Sequence, residues 1–125
     1  MRALVVDDSR TMRTIISRIL DGLGFDVTQA ADGQQAVELL AEGMTFDLGL
    51  VDWNMPRMSG LDLVTHIRAN PSWESMRLVM VTTESERDAI LLAISRGADE
   101  YVIKPFTSDA LVEKLGLIGM TCATA

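Results

Sequence analysis

Four short apolar runs in this chain each end on a polar group. Ala3-Leu4-Val5-Val6 runs into Asp7-Asp8, Leu48-Gly49-Leu50-Val51 into Asp52, Leu78-Val79-Met80-Val81 into Thr82, and Tyr101-Val102-Ile103 into Lys104-Pro105. Unbroken apolar runs of this length suit parallel strands buried on both faces. In an open α/β sheet, ligands bind in the crevice beyond the carboxyl ends of the strands. Together the endings supply three carboxylates, a hydroxyl and an ammonium. That set describes a site for a divalent cation and an oxyanion.

Between the runs, the apolar residues take a helical period. Met12, Ile15, Ile16, Ile19, Leu20 and Leu23 predict an amphipathic first helix, ended by Gly22 and Gly24. Residues 25–30 alternate apolar and polar, as an edge strand does. Asp32 with Gln35 is a capping pair for a second helix with Ala36, Val37, Leu40 and Ala41 inward. Leu61, Val64 and Ile67 mark a third helix, which Asn70-Pro71-Ser72 stops. Ser85 with Asp88 starts a fourth, lined by Ile90, Leu91 and Ile94 and ended by Gly97; a fifth starts near Thr107 with Leu111 and Leu115 inward. Residues from about Met120 to Ala125 are weakly patterned, as a fraying end is. Five βα units joined by right-handed crossovers predict a doubly wound parallel sheet, α/β in class, as one domain over 1–125.

Composition narrows the function. At 125 residues the chain is long enough for one core, with ~65–70% of its unfolded surface buried. A hydrophobic content of 48% and a mean hydropathy of +0.21 exclude disorder. No apolar stretch approaches the ~20 residues of a membrane span. Met1-Arg2-Ala3 enters the first strand without a signal sequence, and the single Cys122 is expected to be inert, so a cytoplasmic setting is expected. A net charge of −7 argues against nucleic-acid binding. Arg10, Arg13 and Arg18 read as a solvated helix face, His66 as a surface residue and Trp53 as an exposed aromatic near the site. Most of the eight methionines read as core filler. Met55 and Met58, in the loop after Asp52, are also candidate partner contacts.

Alone, Asp7-Asp8 reads as a strand end or helix cap, Asp52 as a turn residue, Thr82 as an N-cap and Lys104-Pro105 as an exposed turn. Their joint occurrence after buried strands favours the metal–phosphate site. Three adjacent carboxylates repel one another, and a hard cation such as Mg²⁺ relieves this while keeping waters and phosphate oxygens. Lys104 can hold a phosphoryl oxygen and Thr82 can donate to another. Asp52, alone at the end of a central strand, is the candidate nucleophile for an acyl phosphate.

Val6-Asp7-Asp8, Val51-Asp52-Trp53-Asn54-Met55-Pro56 with Gly60, Val81-Thr82 and Lys104-Pro105-Phe106 resemble the receiver domain of bacterial two-component response regulators, in order and over essentially the whole chain. Ser9 to Arg13, Asp52-Trp53-Asn54-Met55-Pro56 and Tyr101 to Thr107 resemble its CheY-like, single-domain chemotaxis form. The resemblance implies a five-stranded sheet of order 2-1-3-4-5 with five helices. It implies Asp52 as phosphoacceptor from a histidine kinase or phosphotransfer protein. Asp8, Asp52 and the Asn54 carbonyl would hold Mg²⁺, with Asp7 acting through water. Lys104 would pair with Asp52 or its phosphate, across a cis Lys104-Pro105 bond. Thr82 would move to the phosphoryl group and Tyr101 would rotate into the space released. The fourth helix, fifth strand and fifth helix would then change affinity for a partner, such as a flagellar switch or another adaptor target. A separate phosphatase is a further implied partner, no membrane partner is expected, and the chain would be a monomer. Asn54 and Glu84 stand where phosphorylation lifetime is tuned in this family. Thr83 replaces the usual small residue and could narrow access to a phosphoaspartate. Ser59 stands where such chains often carry Asp, with no mechanism attached.

The chain is thus expected to catalyse only its own phosphorylation and dephosphorylation. The alternative is a Mg²⁺-dependent phosphatase with an aspartyl nucleophile. Such enzymes carry an acid/base Asp two residues after the nucleophile, where this chain has Asn54. A flavin-mononucleotide carrier of the same architecture would need a Thr/Gly-rich phosphate loop where Asp8-Ser9-Arg10 stands.

Overall fold

The structure is a computed structural model that describes residues 1–83 and 87–120, without the Arg87 side chain. The expectations for Glu84, for a Ser85 cap and for Cys122 lie outside the described residues. Five parallel strands, β1 Arg2–Val6, β2 Asp26–Ala30, β3 Leu48–Asp52, β4 Arg77–Thr82 and β5 Glu100–Ile103, form one sheet in the order β2-β1-β3-β4-β5. Helices α1 Arg10–Gly22, α2 Gly33–Ala41, α3 Gly60–Arg68, α4 Arg87–Ser95 and α5 Ser108–Leu117 alternate with them, and a 3₁₀ turn at Pro71–Trp73 follows α3. This is the doubly wound α/β fold that the alternating periods predict.

The central strands are apolar throughout because both their faces are covered. Leu4, Val6, Val51, Leu78 and Met80 pack under α2, α3 and α4, while Ala3, Val5, Leu50, Val79 and Val102 pack under α1 and α5. Side chains two apart along a strand therefore share one core, and adjacent ones enter opposite cores. Burying a leucine or isoleucine in these cores contributes roughly 1.5–3 kcal/mol, and Leu4, Ile16, Leu63, Ile67 and Leu111 are essentially inaccessible.

The helix starts carry the local chemistry of caps. Ser9, Asp32, Ser59 and Thr107 each accept a hydrogen bond from the backbone N–H three residues on. Gln35 completes its pair with Asp32 by accepting from the Ala31 N–H, one residue ahead of the cap itself. Ser59 has the clearest role: with Asp62 it forms a reciprocal capping box that fixes the start of α3 beside the crevice. Its signal, Ser-x-x-Asp before an apolar run, was present in the sequence.

Four inward assignments fail for a shared reason. Ile15, Ala41, Leu91 and Ile94 are exposed. Each residue turns the helix by ~100°, so a neighbour of a buried residue can leave the stripe. In α4, Ile90 and the small Ala93 face the sheet, which puts Leu91 on the far side. At the end of the chain Met120 is buried against the α1/α5 core rather than frayed.

Candidate functional site

The carboxyl ends of β1, β3, β4 and β5 converge, and backbone bonds past the strands hold them in place. The Asp7 N–H donates to Ala30 O, Trp53 N–H to Val81 O at 3.0 Å, and Lys104 N–H to Thr82 O at 2.7 Å. Asp7, Asp8 and Asp52 each offer a carboxylate oxygen, and these lie within 4.8 Å of one another. Among the described residues this is the only cluster of three or more metal-ligating side chains. Asp7 and Asp52 are buried and Asp8 is exposed, so the cluster opens to solvent on one side.

Lys104 bridges the two buried carboxylates. Its Nζ donates to Asp52 Oδ1 at 2.8 Å and to Asp7 Oδ2 at 3.2 Å. The Ser9 N–H, at the start of α1, donates to Asp7 Oδ1 at 2.8 Å, so both Asp7 oxygens are engaged. Among the described residues no such bond occupies Asp52 Oδ2 or the Asp8 carboxylate. One ammonium offsets one of three negative charges. Burial pushes the Asp52 carboxyl above its ordinary value; the Lys104 hydrogen bond opposes this, and the Asp7 charge reinforces it. Burial pulls the Lys104 ammonium down, but its hydrogen bond to Asp52 and the charges of Asp52 and Asp7 leave it raised overall. The site is electrostatically short of positive charge, and its hard oxygen donors suit a small divalent cation.

Gly60 sets the depth of the crevice. A methyl group on its Cα would strike the Asp52 carbonyl oxygen, sit 2.8 Å from Met80 Cε and 3.0 Å from Trp53 Cα. Only glycine lets α3 start this close to the end of β3. In the loop between them Arg57 has φ 68°, and the Met58 N–H bonds back to Pro56 O at 2.7 Å, closing a tight three-residue turn. Met58 packs over Gly33 at the start of α2, where a Cβ would lie 2.7 Å from its Sδ.

Other expected residues take these places. Thr82 is buried at the end of β4, with a long 3.4 Å hydrogen bond from Oγ1 to Thr83 O, while Thr83 and Asn54 are exposed. The Lys104-Pro105 bond is cis. Tyr101 is half-buried on β5. His66 is exposed, with its ring centroid 6.1 Å from that of Trp73, outside the acidic cluster. Trp53 is not the exposed aromatic expected: it is half-buried against the α2/α3/α4 core, because the loop folds back over Gly60. Arg13 departs from the solvated face expected of it. Its guanidinium donates to the Asp7 carbonyl at 2.6 Å, across six residues that the turn into α1 brings together. No local sequence signal distinguishes it from Arg10 and Arg18, which are exposed.

Among the described residues no helix is long and apolar enough to cross a membrane. A family profile for the response regulator receiver domain matches residues 3–116. A chemotaxis protein CheY homolog of Campylobacter jejuni is 45% identical over 116 residues, 92% of this chain and 89% of its own. Chemotaxis protein CheY-3 of Vibrio cholerae is 44% identical over 119 residues, covering 94% and 91%. Among solved structures, Vibrio cholerae chemotaxis protein CheY4 is similar at a TM-score of 0.81 and 32% identity, over 90% of this chain and 92% of that one. A putative response regulator from Chloroflexus aurantiacus has a TM-score of 0.87 at 26% identity, over 95% and 98%.

Proposed function

The chain belongs to the response regulator receiver family of two-component signalling, and on that premise we propose that it is a phosphorylation-driven switch with Asp52 as phosphoacceptor. The observation that carries this reading is the Lys104 bridge between Asp52 and Asp7, inside a cluster of three carboxylates at the carboxyl edge of the sheet. A receiver domain of this family signals by binding rather than by turning over a metabolite. The similarity to chemotaxis proteins supports a chemotaxis output, with a histidine kinase or phosphotransfer protein upstream and an adaptor or motor protein downstream.

The donor set fits Mg²⁺, which typically takes one or two carboxylates and keeps several waters. Asp52 and Asp8 would hold it, with the Asn54 carbonyl as a third protein ligand. Asp7, whose oxygens already serve Ser9 and Lys104, would act through water. When bound, the ion supplies neutralisation of charge between the carboxylates and an incoming phosphoryl group. The remaining work falls to the side chains. Asp52 Oδ attacks the phosphorus of the donor; an O–P bond forms as the donor's bond to phosphorus breaks, leaving an acyl phosphate. Lys104 stays within reach to hold a phosphoryl oxygen, and Thr82 offers its hydroxyl to another. That contact would draw Thr82 from its long bond to Thr83 O and leave room beside Tyr101. Asn54 and Glu84 would tune the lifetime of the acyl phosphate, and the exposed Thr83 would restrict the approach of water or donor.

Incubation with acetyl phosphate and Mg²⁺ tests the reading. A labile adduct of one phosphoryl group per chain is expected, absent from Asp52→Asn and from samples stripped of divalent cations. Rapid turnover of a phosphomonoester, or an adduct that survives Asp52→Asn, would overturn it.

A further inference from the structure

Strand β5 lies at the edge of the sheet, and its side chains divide between two layers. Val102 enters the core beneath α1 and α5, whereas Tyr101 packs against the core beneath α2, α3 and α4. Helix α5 therefore lies on the opposite side of the sheet from the layer Tyr101 packs against. One α5 side chain nevertheless reaches the ring: Lys114 Nζ lies 4.0 Å from the centroid of Tyr101. A cation this close to an aromatic face is held by the negative potential of the ring.

A second contact fixes the lysine there. Glu100 Oε1 lies 3.5 Å from Lys114 Nζ, and the same oxygen accepts the Tyr101 N–H at 3.0 Å. On an edge strand that N–H has no further strand to bond, so the carboxylate both covers it and anchors the ammonium. Backbone, ring, carboxylate and ammonium close into one small network across the sheet edge. Both charged side chains are more than two-thirds shielded from solvent, which weakens competition by water and salt.

We infer that Lys114, anchored by Glu100, is a positioning residue that clamps the Tyr101 ring at the sheet edge and so sets the resting state of the switch. The clamp rests on the reading of Tyr101 as a switch residue in what it means for signalling, but not in its geometry. To move deeper toward β4, the ring must leave the ammonium. Neutralising Lys114 therefore favours the inward position without touching Asp52. Displacing the ring frees the ammonium in turn, so α5 and β5 change together on the face a partner would meet.

The chain has a single tyrosine, which makes the ring directly observable. 3-Fluorotyrosine incorporated into the full chain gives one ¹⁹F signal, reporting Tyr101 alone. Lys114→Gln keeps much of the length and removes the charge. It is expected to move that signal by shifting the ratio of ring positions about two- to five-fold, the effect of one partly exposed cation over a ring. Lys114→Arg should restore the parent signal, and Glu100→Gln should shift it in the same direction as Lys114→Gln. Adduct formation from acetyl phosphate should keep the parent rate in all three. A Lys114→Gln signal at the parent position, or an arginine variant as displaced as the glutamine one, would overturn the clamp. Should Lys114→Gln not fold, Glu100→Gln carries the same test. Treating the parent with acetyl phosphate and Mg²⁺ separates the two readings. If the adduct moves the signal and Lys114→Gln does not, the switch stands and the clamp falls. If Lys114→Gln moves it and the adduct does not, the clamp stands and the switch falls.

Discussion

The acidic crevice and the α4–β5 face lie on neighbouring elements and are built in opposite ways. In the crevice, polar groups are buried and tightly held: Asp7, Asp52 and Lys104 are bonded to one another, and Gly60 closes the gap behind them. On the α4–β5 face, apolar groups are exposed: Leu91 is 70% accessible, and Leu92, Ile94 and Ile103 all exceed a third. The crevice stores unfavourable negative charge that a cation can relieve. The face leaves apolar surface that a partner can cover. One end of β4 and β5 is thus tightly organised, while the adjoining surface leaves large apolar side chains exposed. On the switch proposed above, the contrast would let a fold this small separate reception of a signal from its delivery.

Several substitutions break or sharpen that contrast. In the crevice and on the face, the largest effect is expected from Gly60→Ala, because two of the three neighbouring atoms are backbone and cannot give way. Overpacking here should cost about 3 kcal/mol in urea unfolding and weaken Mg²⁺ quenching of Trp53 fluorescence. Gly116→Ala, in α5 with nothing within 4 Å, should instead gain about 0.5–1 kcal/mol. Equal effects at the two glycines would remove the claim that the crevice is tightly preset.

Next in size is Arg68→Ala, away from both regions. The Arg68 guanidinium donates to Gly97 O at 2.8 Å and to Asp99 Oδ2 at 2.8 Å, and Asp99 Oδ2 also accepts the Leu78 N–H. These bonds tie α3 to the turn between α4 and β5 and to the start of β4. Losing them should cost about 1–3 kcal/mol, with the yield of phosphoryl adduct unchanged. A loss of adduct at unchanged stability would place Arg68 in the input chemistry instead.

Charge in the crevice gives a smaller effect with a definite sign. Asp52 is raised in the folded chain, so the native state holds more protons than the unfolded one once pH passes the ordinary carboxyl value of 3.8. Stability of the metal-free protein should therefore fall as pH rises from there through the folded value. Asp52→Asn should be more stable than the parent at neutral pH, lose that advantage below 3.8, and lose it again when Mg²⁺ is added to the parent. Lys104 gives a slope of the same sign at the alkaline end, through a stabilising contribution that is lost. Its contribution is complete below 10.5 and disappears as pH rises through its raised folded value. Thermal unfolding monitored across pH checks both; a parent that gains stability above 3.8 relative to Asp52→Asn would contradict the first.

The smallest effect belongs to the face. Leu91→Ser should change stability by no more than ~0.5 kcal/mol, since the side chain has little packing to lose. Leu63→Ala, at a buried α3 position, should cost about 2–5 kcal/mol. Chemical denaturation of the pair measures the difference between an exposed and a buried leucine in one chain.

Much of this molecule was legible before any coordinates. Unbroken apolar runs identify buried parallel strands, and residues that end such strands must meet at one edge. Asp7, Asp8, Asp52, Thr82 and Lys104 could therefore be grouped from order alone, Asp32 declared itself as a cap by local chemistry, and the start of α5 near Thr107 was legible. The tertiary structure decided what depends on distant segments. Arg13 looked like its neighbours Arg10 and Arg18 until the turn into α1 placed it on the Asp7 carbonyl. Leu91 and Ile94 fit a helical period, yet only the docking angle of α4 determines which apolar residues face the sheet. Arg68 with Asp99, and Lys114 with Tyr101, are pairs of no regular spacing whose partners meet through the sheet. Periodicity and strand endings are written in short stretches of chain, because backbone geometry repeats over two or 3.6 residues. Which side chains cross from one layer to another depends on how the layers pack, and no short stretch contains that information.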